Sequence, residues 1–134
     1  MKTQRSRILV AEDDKIFATV LWLNLEHCGF SATTALDGCE ALHLAQQDQF
    51  DLVIADHQMP KMLGMELCRH LRQDDRYART PMILMSAFED SKVVELFEDF
   101  ELLEAIFVKP FSPDELMSRI RECLADCPSA AVSL

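Results

Sequence analysis

The chain has 134 residues, 49% of them hydrophobic, which is enough for one domain with a real core and too few for two ordinary ones. A formal net charge of −10 speaks against direct nucleic-acid binding, which needs Lys and Arg in excess on one face, and points to proteins or cations as partners. No segment approaches the roughly 20 apolar residues of a membrane span, no signal-peptide core is present, and the five cysteines form no CxxC pair, so a cytoplasmic protein with reduced thiols is expected.

Residues 1–6 are polar and basic and read as a frayed start. RILVA, from Arg7 to Ala11, is a short apolar run that ends in acids: Glu12, Asp13 and Asp14. The next segment, up to His27, carries Ile16, Phe17, Val20, Leu21 and Leu23 at helical spacing, with Ala18, Trp22 and Leu25 as a second stripe. Gly29 supplies the left-handed residue that commonly ends a helix. Residues 30–35 read as a weaker strand, Asp37-Gly38 as a turn and residues 39–47 as a short helix. Leu52 to Ala55 is a continuous apolar run that ends on Asp56, and Met59-Pro60 forces the chain out of the sheet.

After a loop to Gly64, residues 65–73 form a helix with Leu67, Cys68 and Leu71 inward. A polar connection over residues 74–80 leads to PMILM, a buried strand ending on Ser86-Ala87. Residues 90–100 carry Val93, Phe97 and Phe100 at helical spacing. Ala105 to Val108 is a last strand that ends on Lys109-Pro110. Ser112-Pro113-Asp114-Glu115 is a helix-start signature, and that helix runs to about Ala125. The domain therefore spans residues 1–127, with 128–134 as a tail or the start of a linker.

Strand then helix, five times over, with four strands continuously apolar, calls for a doubly wound five-stranded parallel α/β sheet with helices on both faces. In such a sheet the strands' carboxyl ends share one edge, where the crevice is open to ligands. That edge collects Glu12, Asp13, Asp56, Ser86 and Lys109. The helix dipole accounts for Asp14 and for either neighbouring acid taken singly, but not for Asp56 or Lys109, which precede loops. Crowded carboxylates either rise in pKa or take on a cation, and an all-oxygen set suits Mg2+. A carboxylate can also act as a nucleophile toward phosphorus, with a metal and an ammonium holding the equatorial oxygens. Asp56, central in the sheet, is the nucleophile candidate.

ILVAEDD, DLVIADHQMPKMLG, MSA and FVKPF, at these spacings, resemble the receiver domain of two-component response regulators, of the chemotaxis-regulator type. The resemblance runs from Arg7 to about Ala125 and implies a flavodoxin-like fold with strand order 2-1-3-4-5 and five helices. It implies Asp56 as phosphoacceptor, and Glu12, Asp13 and Asp56 with the Gln58 backbone carbonyl around Mg2+. It implies Ser86 as phosphoryl-binding hydroxyl, Lys109 as the site's lysine, Phe107 as switch aromatic and a cis peptide before Pro110. The implied partners are a sensor histidine kinase or a histidine phosphotransfer protein, with an output partner not named by the sequence. The implied state is a monomer or a weak phosphorylation-dependent dimer. Such a domain is a phosphoacceptor that assists its own phosphorylation and dephosphorylation rather than an enzyme. Glu at 12, Ser at 86 and Phe at 107 depart from the family's usual residues without removing a needed group; lacking a hydroxyl, Phe107 would signal by sterics as Ser86 moves inward.

Two other classes compete. An aspartyl-phosphate phosphohydrolase or phosphotransferase generally needs a second acid two residues past the nucleophile, where this chain has Gln58. A flavin-binding protein needs a Ser/Thr/Gly-rich phosphate loop after the first strand, where this chain has three acids. Phe88 is expected over the pocket mouth, either slowing hydrolysis or filling a hydrophobic gap. His57 should point away from the pocket by strand alternation, and His27, His43 and His70 are read as structural or exposed. The acid-rich residues 89–104 read as a solvated face; for Trp22 the resemblance implies a place in a phosphodonor interface, with packing at the domain edge as the alternative.

Overall fold

A computed structural model of the chain describes residues 5–87 and 101–125. The elements are β1 (Arg7–Ala11), α1 (Lys15–His27), β2 (Ser31–Ala35), α2 (Gly38–Gln47), β3 (Leu52–Asp56), α3 (Gly64–Arg72), a 3-10 turn (Asp75–Tyr77), β4 (Met82–Ala87), β5 (Ala105–Lys109) and α4 (Pro113–Ala125). All strand pairs are parallel and the order is β2-β1-β3-β4-β5, as expected. Four helices are seen among the described residues. The fifth, expected over residues 90–100, lies outside them, as do Phe88, most of the acidic run, Cys127 and the tail.

Short polar side chains fix where the helices begin. Asp14 accepts the Ile16 and Phe17 N–H groups at 3.0 and 3.1 Å, and Asp37 accepts that of Glu40 at 2.8 Å. The Ser112 hydroxyl accepts the Asp114 N–H at 3.2 Å, so the helix start expected there is present. Gly29, at φ +97°, turns the chain out of α1 into β2.

Side chains alternate across the sheet and sort the core into two layers. Leu9, Ala11, Val53, Ala55, Met82 and Leu84 face α2 and α3, with Ile106 packed against them. Ile8, Val10, Leu52, Ile54, Ile83 and Met85 face α1 and α4, with Phe17, Phe107 and Phe111 packed against them. This division decides which strand-end residues can meet.

The main stripe expected of α1 is corrected. Its buried residues are Ala18, Leu21 and Leu25, whereas Ile16, Val20 and Leu23 are 78%, 49% and 54% exposed. The buried face takes Leu21 from the first stripe and Ala18 and Leu25 from the second, because those side chains are the ones that pack against the sheet. Trp22 is tied down at the domain edge by an indole N–H donated to the Ala32 carbonyl at 3.0 Å.

The connection read as merely polar holds a fully buried Tyr77. Its hydroxyl lies 2.7 Å from the Asp48 carbonyl and 2.8 Å from that of Ala45, and it accepts the Phe50 N–H at 3.3 Å. It thereby satisfies the backbone where α2 ends and β3 begins. Tyr77→Phe should lower unfolding free energy by about 1–3 kcal/mol in urea titration, because it leaves buried backbone groups unpaired.

Candidate functional site

Because β1, β3 and β5 are parallel, their carboxyl ends deliver Glu12, Asp56 and Lys109 to one rim. Alternation puts Asp56 on the face of Leu52 and Ile54, and Lys109 on the face of Phe107, so both point to the α1 and α4 side. The Lys109 ammonium lies 2.9 Å from Glu12 Oε1 and 3.3 Å from Asp56 Oδ1. Glu12 and Asp56 are buried, at 1% and 5% exposure, while Asp13 is open to solvent. Glu12 also accepts the Asp14 N–H through its other oxygen at 3.1 Å, which aims the carboxylate inward.

One ammonium does not balance this cluster. Burial raises the Glu12 carboxyl above the ordinary value against the pull of Lys109. Burial likewise raises Asp56, opposed chiefly by the Lys109 charge and helped by that of Asp13. Burial alone would lower Lys109, but the hydrogen bond to Glu12 and the Asp56 and Glu12 charges outweigh it and hold the ammonium above lysine's usual pKa.

Carboxylate oxygens of Glu12, Asp13 and Asp56 lie within 4.8 Å of one another. Three hard oxygen donors, two buried and one facing water, fit a divalent cation that keeps part of its hydration shell. Gln58 is exposed two residues beyond Asp56 on the same rim.

Ser86 is fully buried near the end of β4. It pairs in register with Val108, and Leu84 pairs with Ile106, so its side chain shares the face of Leu84 and Ile106. The switch role expected of Phe107 is corrected on this point. Phe107 pairs with Met85 on the opposite face and packs edge-on to Phe111 with ring centroids 5.4 Å apart. The Lys109-Pro110 peptide is cis, as the resemblance implied.

His57 is buried, and its Nδ1 has no hydrogen-bond partner among the described residues. Its backbone helps hold the site, the N–H donating to Met85 at 2.8 Å and the carbonyl accepting from Gly64 at 3.0 Å. Gly64 is a site residue that sequence reasoning passed over. α3 starts so close to the end of β3 that a Cβ at Gly64 would run into the Asp56 carbonyl oxygen. Cys28, Cys39, Cys68 and Cys123 are free thiols, and burial pushes that of Cys68 up to about 12, so it is inert at neutral pH.

The family model of the response regulator receiver domain matches residues 8–121. The chain belongs to that family. Among curated relatives, the alkaline phosphatase synthesis transcriptional regulatory protein PhoP of Bacillus subtilis is 37% identical over 128 residues, covering 95% of this chain and 52% of PhoP. The DNA-binding dual master transcriptional regulator RpaA of Synechocystis is 32% identical over 119 residues, covering 88% and 48%. Among solved structures, the chemotaxis response regulator CheY4 of Vibrio cholerae superposes with a TM-score of 0.80 at 29% identity, covering 90% of this chain and 99% of CheY4. A Francisella response regulator receiver domain does so with 0.80 at 32%, covering 91% and 98%.

The receiver chain spans about half the length of the curated relatives. The expectation that its acidity excludes nucleic acid is therefore withdrawn: relatives that share this domain are named as transcriptional regulators, one of them DNA-binding. Net charge describes the surface of one domain and does not fix what a protein containing it acts on. Among the described residues no helix is long and apolar enough to cross a membrane.

Burial of these carboxyls has a measurable cost in stability. A carboxyl held above its ordinary pKa favours the fold in its protonated form; that contribution is present in acid and lost as pH rises through the raised value. At neutral pH Asp56→Asn, which leaves Lys109 with Glu12, should raise the melting temperature by about 2–6 °C. The gain over the parent should shrink as pH falls and Asp56 takes up its own proton.

Proposed function

We propose that this receiver accepts a phosphoryl group on Asp56 from a phosphohistidine protein, with Mg2+ as cofactor. The observation that carries the reading is the meeting of Lys109 with Glu12 and Asp56 beside a third acid, Asp13, on one open rim. Glu12, Asp13, Asp56 and the Gln58 backbone carbonyl would hold the ion. When bound, it supplies positive charge to the phosphoryl oxygens.

An Asp56 carboxylate oxygen attacks phosphorus; a P–O bond forms as the P–N bond to the donor imidazole breaks, and the imidazole leaves. Lys109 already touches Asp56, and its ammonium turns to an equatorial oxygen of the incoming group while keeping Glu12 as its second partner. The Ser86 hydroxyl binds another of those oxygens. Because Ile106 shares the Ser86 face, the steric response to that movement passes to Ile106 and the surface beyond it. Hydrolysis of the acyl phosphate by water at the same rim resets the domain, which makes this a signalling module rather than a turnover enzyme.

The exposed Ile16, Val20 and Leu23 stripe, on the helix that starts at the site, is the docking surface we assign to the donor protein. Trp22, held against β2, borders it. The domain proper is residues 1–127, and the relatives' names support transcriptional control as its output within a longer protein.

Incubation with Mg2+ and acetyl phosphate should add one phosphoryl group by intact mass. The adduct should vanish with EDTA and in Asp56→Asn; labelling that persists in the Asn variant would sink the assignment. Val20→Glu should slow transfer from a phosphohistidine protein at least tenfold, as a charge does when buried in an apolar interface, yet leave the acetyl phosphate reaction unchanged.

A further inference from the structure

The contact that calls for explanation is between Lys109 and Phe17. The ammonium sits 4.4 Å from the centroid of the Phe17 ring, within the range of a cation–π interaction. Two donor directions of the ammonium go to Glu12 and Asp56, and an aromatic ring closes a third side. Phe17 lies in the first turn of α1, where its own N–H is held by the Asp14 cap. Its ring meets Phe111 edge-on, centroids 6.0 Å apart at 88°, and Phe111 meets Phe107 in the same manner. One side chain of α1 therefore touches both residues that flank Pro110.

Lys109 needs such a brace. It projects from the edge strand β5 and reaches past the ends of β4 and β3 to Glu12 beyond β1. A lysine has a flexible four-carbon stem and a compact charge, so nothing in the side chain itself fixes where the ammonium rests. Carboxylates attract it but leave it free to swing between them and water. A ring backed by Phe111 restricts that swing and covers the ammonium with a surface that favours its charge.

We propose that Phe17 is a positioning residue for the Lys109 ammonium, holding it at the Glu12 and Asp56 corner where the incoming phosphoryl oxygen is met. This rests on the phosphoacceptor reading above and adds a residue that acts through Lys109 without touching the reacting atoms. Leucine at position 17 would fill similar space but present no π face, whereas tyrosine keeps the face.

The test joins two measurements on Phe17→Leu, Phe17→Tyr and the parent. In metal-free protein, NMR should find the Lys109 ε-methylene protons shifted upfield by the ring current in the parent and in Phe17→Tyr, and returned toward the ordinary lysine position in Phe17→Leu. With Mg2+ and acetyl phosphate, Phe17→Leu should be phosphorylated on the order of fivefold more slowly, with Phe17→Tyr near the parent rate. The inference is overturned if the Lys109 resonances do not respond to Phe17→Leu, or if that variant reacts at the parent rate. It is equally overturned if Leu and Tyr slow the reaction alike in step with lost thermal stability, which would mark plain packing. Should the parent itself take no phosphoryl group, the phosphoacceptor reading fails, and the resonances alone then decide whether Phe17 holds the ammonium.

Discussion

Everything at the working edge depends on an unequal electrostatic match: one ammonium, from Lys109, set between two buried carboxylates with a third beside them. A balanced pair would be closed chemistry, each charge satisfied by the other. Here burial, with a neighbouring carboxylate's charge adding to it, raises Glu12 and Asp56 above their ordinary pKa values while Lys109 stays protonated. Such a site gains from an added cation, and it keeps an ammonium at the same corner. The parallel sheet makes the arrangement possible, since only a shared strand direction brings three distant parts of the chain to one rim.

The apolar runs made most of this legible. Each runs for four or five residues and ends on a polar side chain, so strand limits, strand direction and the convergence of Glu12, Asp56 and Lys109 could be read together. The cap at Ser112 was legible for the same reason, whereas Asp14 was read only as an acid favoured by the helix dipole and not as the cap that it is. Rotational phase was harder. Two stripes of α1 fit helical spacing, and only packing against the sheet picks Ala18, Leu21 and Leu25 over Ile16, Val20 and Leu23.

Phe107 illustrates a signal that was present and passed over. Residues two apart on a strand share a face, so Phe107 had to lie with Lys109, and the Ser86 face had to be met by Ile106 and Val108. Tyr77 and Gly64 carried no such signal. One is a lone aromatic in a polar connection, the other a glycine whose need arises only because α3 begins against the Asp56 carbonyl. The charge argument about nucleic acid failed for another reason: composition summed over one domain says nothing about a partner engaged through a different part of a longer protein.

The first turn of α1 gathers these threads. Glu12 accepts the Asp14 N–H, Asp14 accepts the Phe17 N–H, and the Phe17 ring meets the Lys109 ammonium that returns to Glu12. The circuit closes through these four residues, and it fixes the acid, the helix start and the lysine relative to one another. Ile16, next to Phe17 in that turn, is the most exposed large apolar residue among the described residues. A partner seated on the outer stripe of α1 would thus bear on the same rigid turn whose inner side braces the lysine. The exposed stripe and the brace on the lysine are joined by a single helical turn.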